Sequence, residues 1–391
     1  MAIPVFLRPR LHCEVSFRWG GIRNWKARMR VAVVIPAYNA VSLLPETLDS
    51  LASQVRKPDE VIVIDDGSSD ETAAVAERHP IVSRVIVRAN GGICAARNDG
   101  IEAADSDLIF LLDADDLWHP SYLERMVRMM EAHPEALAGF TRYRCFSHPV
   151  EFPVPFEDVI DDASAIHDAS SFSLVANRSL PILPSFYCAR RDALARLGAR
   201  PYIEGQLGGG EACYLPAMLV AMGPLVEHVE PLGRYRMHSA AVTGDEVDAA
   251  RSMIPSLEDL DRDLTGRPEL QIPSAARHAL RVYIRDWLRK CGKRLGSGSP
   301  SEGRRVFLKA VRMGDLKAAG LLVLSFIPGI ATRRVWVSAW RPESTQRAEG
   351  TPFWSVETFE VDPQKMKNAG STGGGTKDAS GRNRRPAGLV D

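Results

Sequence analysis

The sequence predicts an α/β fold, a largely parallel sheet flanked by helices, followed by a helical extension. Three observations carry that prediction. Between residues 31 and 112, four short apolar runs alternate with stretches of helical period. Each run ends in a loop of small or polar residues. Beyond about residue 245 the strand-like runs cease and helical patterns continue. Strands alternating with helices imply right-handed crossovers and parallel neighbours.

Composition narrows the function classes. The chain has 391 residues, enough for a sizeable core in one large domain or two ordinary ones. Lys and Arg total 49 and Asp and Glu total 49, so the formal net charge is zero. Nothing in that balance argues for a nucleic-acid partner. The cysteines at 13, 94, 145, 188, 213 and 291 are scattered without a CxxC pair, which fits a reducing compartment better than a zinc site or a disulfide framework. No apolar run reaches the roughly 18 residues of a membrane-spanning helix.

The elements follow in order. Residues 1–29 carry six Lys and Arg side chains before Met29 and lack the apolar core of a secretory signal. They read either as a basic targeting arm or as an extension preceding a start at Met29. The second reading is preferred, because Met29 stands directly before the first strand. Val31 to Ile35 is continuously apolar, as a strand buried on both faces should be. Pro36 is expected to end it. The loop Ala37-Tyr38-Asn39-Ala40 leads to a helix marked by Leu44, Leu48, Leu51 and Val55. A second strand, Glu60 to Ile64, runs into Asp65-Asp66-Gly67-Ser68-Ser69-Asp70, where Ser68 and Glu71 have capping-box spacing. A third, Arg84 to Arg88, runs into Ala89-Asn90-Gly91-Gly92, and the helix after it carries Arg97 and Asn98.

The fourth strand, Leu108 to Leu112, delivers Asp113-Ala114-Asp115-Asp116. Three carboxylates so close repel one another, and desolvating them is costly. A hard divalent cation relieves both penalties, and Mg²⁺ characteristically takes one or two carboxylates plus substrate phosphates. An acidic loop capping the next helix is the plainer alternative. All four loops follow the C-terminal ends of strands, where open α/β sheets bind ligands. Neither GxGxxG nor GxxxxGK[ST] is present.

Four motifs in this order, Val33-Val34-Ile35-Pro36-Ala37-Tyr38-Asn39, Val63 to Asp70, Ala96-Arg97-Asn98 and Leu112 to Asp116, resemble the family 2 glycosyltransferases of the GT-A fold. The resemblance is close over about 30–146 and weaker to about 243. It implies an inverting transfer from a nucleotide-diphosphate sugar, most often a UDP-sugar. It implies that Pro36, Ala37, Tyr38 and Asn39 line the nucleoside pocket, with the tyrosine ring against the base. Asp66 would hydrogen-bond the base, its alternative being helix capping. Arg97, with Asn98 beside it, would lie near the ribose or diphosphate. Asp113, Ala114 and Asp115 match the DxD that holds the donor and Mg²⁺ or Mn²⁺, with Asp116 behind them.

Beyond residue 146 the alternation stops. Glu151 to Asp168 looks like a surface insertion. Pro181 to Arg191 resembles the family strand preceding a short helix, Asp192 to Leu197. Glu211 opens another helix. Relatives usually have a Glu-Asp pair there, whose aspartate takes the acceptor's proton. This chain has Glu211 followed by Ala212. Either Glu211 is the base, or the protein is a weak or silent donor-binding subunit. Gly233 to Ser239 resembles the family's YRxH segment, which would bring Arg236 to phosphate charge and His238 to the metal or the diphosphate.

Residues 244–340 read as a helical extension, broken by a linker at Gly296 to Pro300. Within 303–334, the apolar Ala318 to Ile327 is flanked by Lys and Arg, the pattern of an interfacial membrane contact or of an amphipathic helix packed on the domain. Residues 341–391 become Gly-, Ser- and Lys-rich and are expected to be disordered. The resemblance implies a cytoplasmic protein, or one at the membrane's cytoplasmic face, with a glycan or lipid-linked acceptor. A nucleotidyltransferase is the other metal-binding α/β reading, but it would need a basic Gly-rich loop where Pro36 to Asn39 stand.

Overall fold

The first four strands form an all-parallel portion of one nine-stranded sheet: β1 (Val31–Ala37), β2 (Glu60–Asp65), β3 (Arg84–Val87) and β4 (Leu108–Leu111). The structure, a computed structural model, describes residues 28–147, 162–170, 182–205, 210–237 and 246–326. Strand β1 lies between β2 and β4 and is parallel to both. It runs through Pro36 to Ala37 rather than ending at the proline. Its side chains alternate between two cores. Val31, Val33 and Ile35 meet Leu44, Leu48 and Leu51 of α1 (Leu44–Ala52) on one face. Ala32 and Val34 meet Ala96 of α3 (Ile93–Ala103) on the other. Burying each such aliphatic side chain stabilises by about 1.5–3 kcal/mol. Helix α3 lies so close to β1 that a Cβ added at Gly100 would fall 2.1 Å from Val34 Cγ1.

The sheet then changes character, so the largely parallel expectation holds for its first half only. β4 is antiparallel to β8 (Tyr187–Arg190), and β8 is antiparallel to β6 (Ala138–Ser147). The long β9 (Leu225–Met237) is parallel to β6 and antiparallel to the short β5 (Leu117–Trp118). Residues 164–167, expected in a surface insertion, form β7 (Ser164–His167) and pair antiparallel with β9. Glu227 fastens that strand by accepting from His167 Nε2 and Arg142 Nε, each at 2.7 Å.

Helices α2 (Thr72–Arg78) and α4 (Tyr122–Ala132) contribute to the α1 face; α5 (Arg191–Leu197) and α6 (Gly210–Met222) contribute to the α3 face. The α3-face core continues without a break into α7 (Glu246–Gly266) and α8 (Ser274–Gly298). The glycine-rich stretch read as a linker is the end of α8; only Ser299 separates it from α9 (Pro300–Arg312). Helices α8 and α9 approach backbone to backbone: a Cβ on Gly303 would sit 2.5 Å from Gly296 Cα. Here glycine serves close packing, not flexibility. The last described helix is α10 (Leu316–Leu324), its first turn capped by Asp315. Among the described residues no helix is long and apolar enough to cross a membrane. The expectations for 1–27, for most of Glu151 to Asp168, and for 341–391 lie outside the described residues.

Candidate active site

The C-terminal rim of β1, β2 and β4 gathers the polar loops, and hydrogen bonds between loops fix their shape. After β1, Asn39 adopts φ +50, a conformation tolerated by asparagine. Its side-chain Oδ1 accepts the Ser69 N–H at 2.8 Å, and its backbone N–H donates to Ser68 Oγ at 2.9 Å. Ala40 N–H donates to Thr72 Oγ1 at 2.8 Å. The loop after β1 is therefore laced to the loop after β2. Asn39 is used in this lacing, while the neighbouring Tyr38 stands 54% exposed on the rim. Pro36 and Ala37 are buried beneath it.

The expected capping box at Ser68 is not formed. Ser68 turns back to Asp65, and Asp70 Oδ1 accepts the Thr72 N–H at 3.0 Å at the start of α2. Burial alone would raise the Asp70 carboxyl, but hydrogen bonds from Thr72 and Val41 outweigh it and hold it below the usual range. Asp66 is also occupied, at a different helix from its own. It accepts the N–H groups of Gly91 at 3.0 Å and Gly92 at 2.8 Å, just before α3, and pairs with Arg88. These bonds leave Asp66 almost wholly buried.

The aspartate loop after β4 is braced from three directions. Asp113 N–H donates to Ser185 Oγ at 3.0 Å, and Asp113 Oδ1 receives Arg97 from α3 at 2.7 Å. Arg97 is 1% exposed, so it acts on the aspartate from beneath rather than from the open crevice. Arg236 of β9 donates its N–H to Asp116 Oδ1 at 2.9 Å and its Nε to the Asp115 carbonyl at 2.7 Å. The guanidinium also pairs with Glu46 of α1 and lies 4.7 Å from the centre of the Phe146 ring. At 2% exposure Arg236 offers a bound phosphate no open face, contrary to the role expected for it. Asn98 is likewise corrected. It is fully buried, and its amide exchanges 2.9 Å hydrogen bonds with the Tyr202 backbone in both directions.

Electrostatics mark this loop. Burial first, then the carboxylates of Asp115 and Asp113, push Asp116 well above the usual carboxylate range. Asp116 Oδ2 is buried without a hydrogen-bond partner. A divalent cation suits such an excess of oxygen and negative charge. Among the described residues no group of three His, Cys, Asp or Glu side chains is arranged to hold a metal by itself. A site of one or two carboxylates completed by substrate phosphates needs no such group. Ala114 is buried between the outer aspartates. Glu211 lies in the first turn of α6, and His238 lies outside the described residues.

Residues 32–197 match the family model of glycosyl transferase family 2. The chain carries a family 2 glycosyltransferase domain. Curated relatives agree: an uncharacterized glycosyltransferase EpsJ of Bacillus subtilis is 32% identical over 117 residues, covering 29% of this chain and 34% of its own. An uncharacterized glycosyltransferase YibD of Escherichia coli is 36% identical over 104 residues, covering 26% of this chain and 30% of its own. Such matches span about a third of the length of these relatives. Among solved structures, S. aureus TarS superposes with a TM-score of 0.56 at 16% identity, covering 82% of this chain and 56% of that one. The fold is GT-A.

Within the glycosyltransferase domain, sequence reading missed the residues that support the carboxylates. Ser185 sits in a one-turn 3₁₀ helix before β8, and its carbonyl accepts the Trp118 indole N–H at 2.7 Å. Trp118 stacks on Tyr122 with ring centroids 4.0 Å apart. Glu46, an acid in the first turn of α1, was not singled out in the sequence. A buried, unexplained arginine opposite the aspartates was the one signal available, and Arg236 was noticed for another reason.

Proposed function

We propose that this protein transfers a sugar, with inversion, from a nucleotide-diphosphate donor to a hydroxyl of a glycan or lipid-linked acceptor in cell-surface polysaccharide or glycoconjugate synthesis. A UDP-sugar is the donor class expected. The observation that carries the reading is the braced Asp113–Asp116 loop on the same rim as the exposed Tyr38, inside the family 2 match. Tyr38 would stack on the base. Asp113 and Asp115 would hold Mg²⁺ or Mn²⁺ against the diphosphate, with His238 a further ligand. When bound, the ion stabilises the charge that develops on the leaving nucleoside diphosphate. Glu211 is the proposed base for the acceptor hydroxyl, since a glutamate is one methylene longer than the aspartate usual at the next position.

A second reading, a silent donor-binding subunit, is favoured by Ala212 alone. The deciding experiment incubates the protein with a panel of nucleotide sugars and Mn²⁺ or Mg²⁺, beside Asp115→Ala. Metal-dependent release of nucleoside diphosphate, lost in the variant, supports the enzyme. Tight donor binding without release, with candidate acceptors present, supports the silent subunit. No binding of any nucleotide sugar overturns both.

The reading extends to an anionic membrane at the cytoplasmic face. In and beside α10, Leu316 is 87% exposed and Val323 and Phe326 are open; Arg304 lies 4.7 Å from the centre of the Phe326 ring, and Arg305, Arg312 and Lys317 of α9 and α10 are exposed. Apolar side chains together with basic ones complement anionic headgroups. Sedimentation with phosphatidylserine vesicles, but not with neutral ones, is the expected result, and Leu316→Glu should abolish it.

A further inference from the structure

We infer that Glu46 and Arg236 form a positioning pair that sets the aspartate loop for its cation, an inference that rests on the donor-binding reading above. Neither residue touches the reacting atoms. Arg236 is buried, and three of its interactions converge on this region: the Asp116 carboxylate through its N–H, the Asp115 carbonyl through Nε, and Glu46 through a terminal nitrogen. Two of the three fall on the loop itself.

The geometry explains why an arginine stands here. The planar guanidinium holds several donors in a fixed fork, so one side chain can grip a carbonyl and a carboxylate at once. Its grip on the Asp115 carbonyl fixes the backbone of a residue proposed to hold the cation. Its backbone N–H takes one Asp116 oxygen and leaves Oδ2 without a hydrogen-bond partner. Arg97 does the complementary work from α3, holding Asp113 Oδ1 at 2.7 Å. Each end of the carboxylate cluster thus has its own buried guanidinium.

Glu46 completes the device. Its side chain is 29% exposed and lies in the first turn of α1, directly after the loop that carries Tyr38. It supplies the counter-charge that a buried guanidinium requires. With Glu46 in place the guanidinium is held on the Asp115 carbonyl, which leaves the side chains of the cluster to the cation. Partners of this kind, one step behind the ligands, typically contribute about 10–100-fold to metal affinity.

The test titrates Mn²⁺ into full-length protein with UDP present and follows free Mn²⁺ by its paramagnetic resonance signal. Wild type, Glu46→Ala, Glu46→Gln and Asp115→Ala are compared well below their melting temperatures. Glu46→Ala should weaken Mn²⁺ binding about 10-fold. Glu46→Gln, which keeps an acceptor for Arg236, should recover part of that loss. In turnover, the Mn²⁺ concentration for half-maximal rate should rise while the rate at saturating metal returns toward wild type. Folded Glu46→Ala that takes up Mn²⁺ like wild type overturns the inference, as does a variant altered only in melting temperature. If Glu46→Ala does not fold, Glu46→Gln decides by the same criterion. A wild type that takes up no Mn²⁺ with UDP or any other nucleoside diphosphate overturns the donor-binding reading itself, and that result is visible before any variant is compared.

Discussion

The two halves of the sheet contribute to the site in opposite ways. β1, β2 and β4 present groups at the ends of parallel strands: Tyr38 on the first loop, Asp66 on the second, and Asp113 with Asp115 on the third. The half from β5 onward presents few groups at the rim among the described residues. It supplies instead what lies beneath: Ser185 under Asp113, and Arg236 under Asp115 and Asp116. The difference teaches that chemistry and support are separable here. The exposed Tyr38 can change with little cost to stability, whereas Ser185 and Arg236 are built into the core, as Arg97 and Asp66 are in the first half.

Substitutions can break that division. The largest effect on activity is expected from Asp115→Ala. Losing a cation's stabilisation of the leaving group should reduce turnover at least ~100-fold with little change in melting temperature. A large fall in stability would show that the loop carries structure as well as chemistry. Glu211→Gln should reduce transfer ~100-fold or more and leave donor affinity unchanged, because a general base acts on the acceptor alone. Unchanged transfer would move the base elsewhere. Gly100→Ala should act in the opposite sense, destabilising the fold by about 1–3 kcal/mol in urea unfolding, since the added methyl meets Val34.

Acid unfolding sharpens the contrast on the other side of the sheet. Burial alone would raise Glu227, but hydrogen bonds from His167 and Arg142 outweigh it and leave the carboxyl below its ordinary 4.5. Such a group stabilises fully above its unfolded value, and the stabilisation is lost as pH falls through the folded one. Stability should therefore decline below pH 4.5, and Glu227→Gln should flatten that decline while lowering stability at neutral pH. A variant with the wild-type acid profile would show that the β7 attachment does not depend on charge. Tyr38→Ala should have the smallest effect, raising donor KM about 5–10-fold through lost stacking on the base. Equal KM values would remove the tyrosine from the nucleoside pocket.

How much could be read in advance follows the same division. Strands β1 to β4, the rim and the Asp113–Asp116 loop were legible because their signals are local: an apolar run, a turn, a cluster. The supports were not. Ser185 lies 72 residues from Asp113, Arg236 lies 121 from Asp115, and Glu46 lies 190 from Arg236. No periodicity links residues so far apart; only the sheet order does. The same blindness explains Asn98, whose partner Tyr202 is 104 residues away. The misread linker has another cause. Glycines that let two helices touch look, in sequence, like glycines that let a chain bend.

The reversal between β4 and β8 carries one more consequence. Where neighbouring strands run in opposite directions, one chain's exit stands beside another's entrance. Ser185, just before β8, can therefore sit under Asp113, just after β4. The family match ends at residue 197, which includes Ser185 and excludes Arg236. If Arg236 sets the aspartate loop as inferred above, that part of the device lies beyond the stretch the family model covers. A protein cut after residue 197 would keep its aspartates and lose the arginine that aims them.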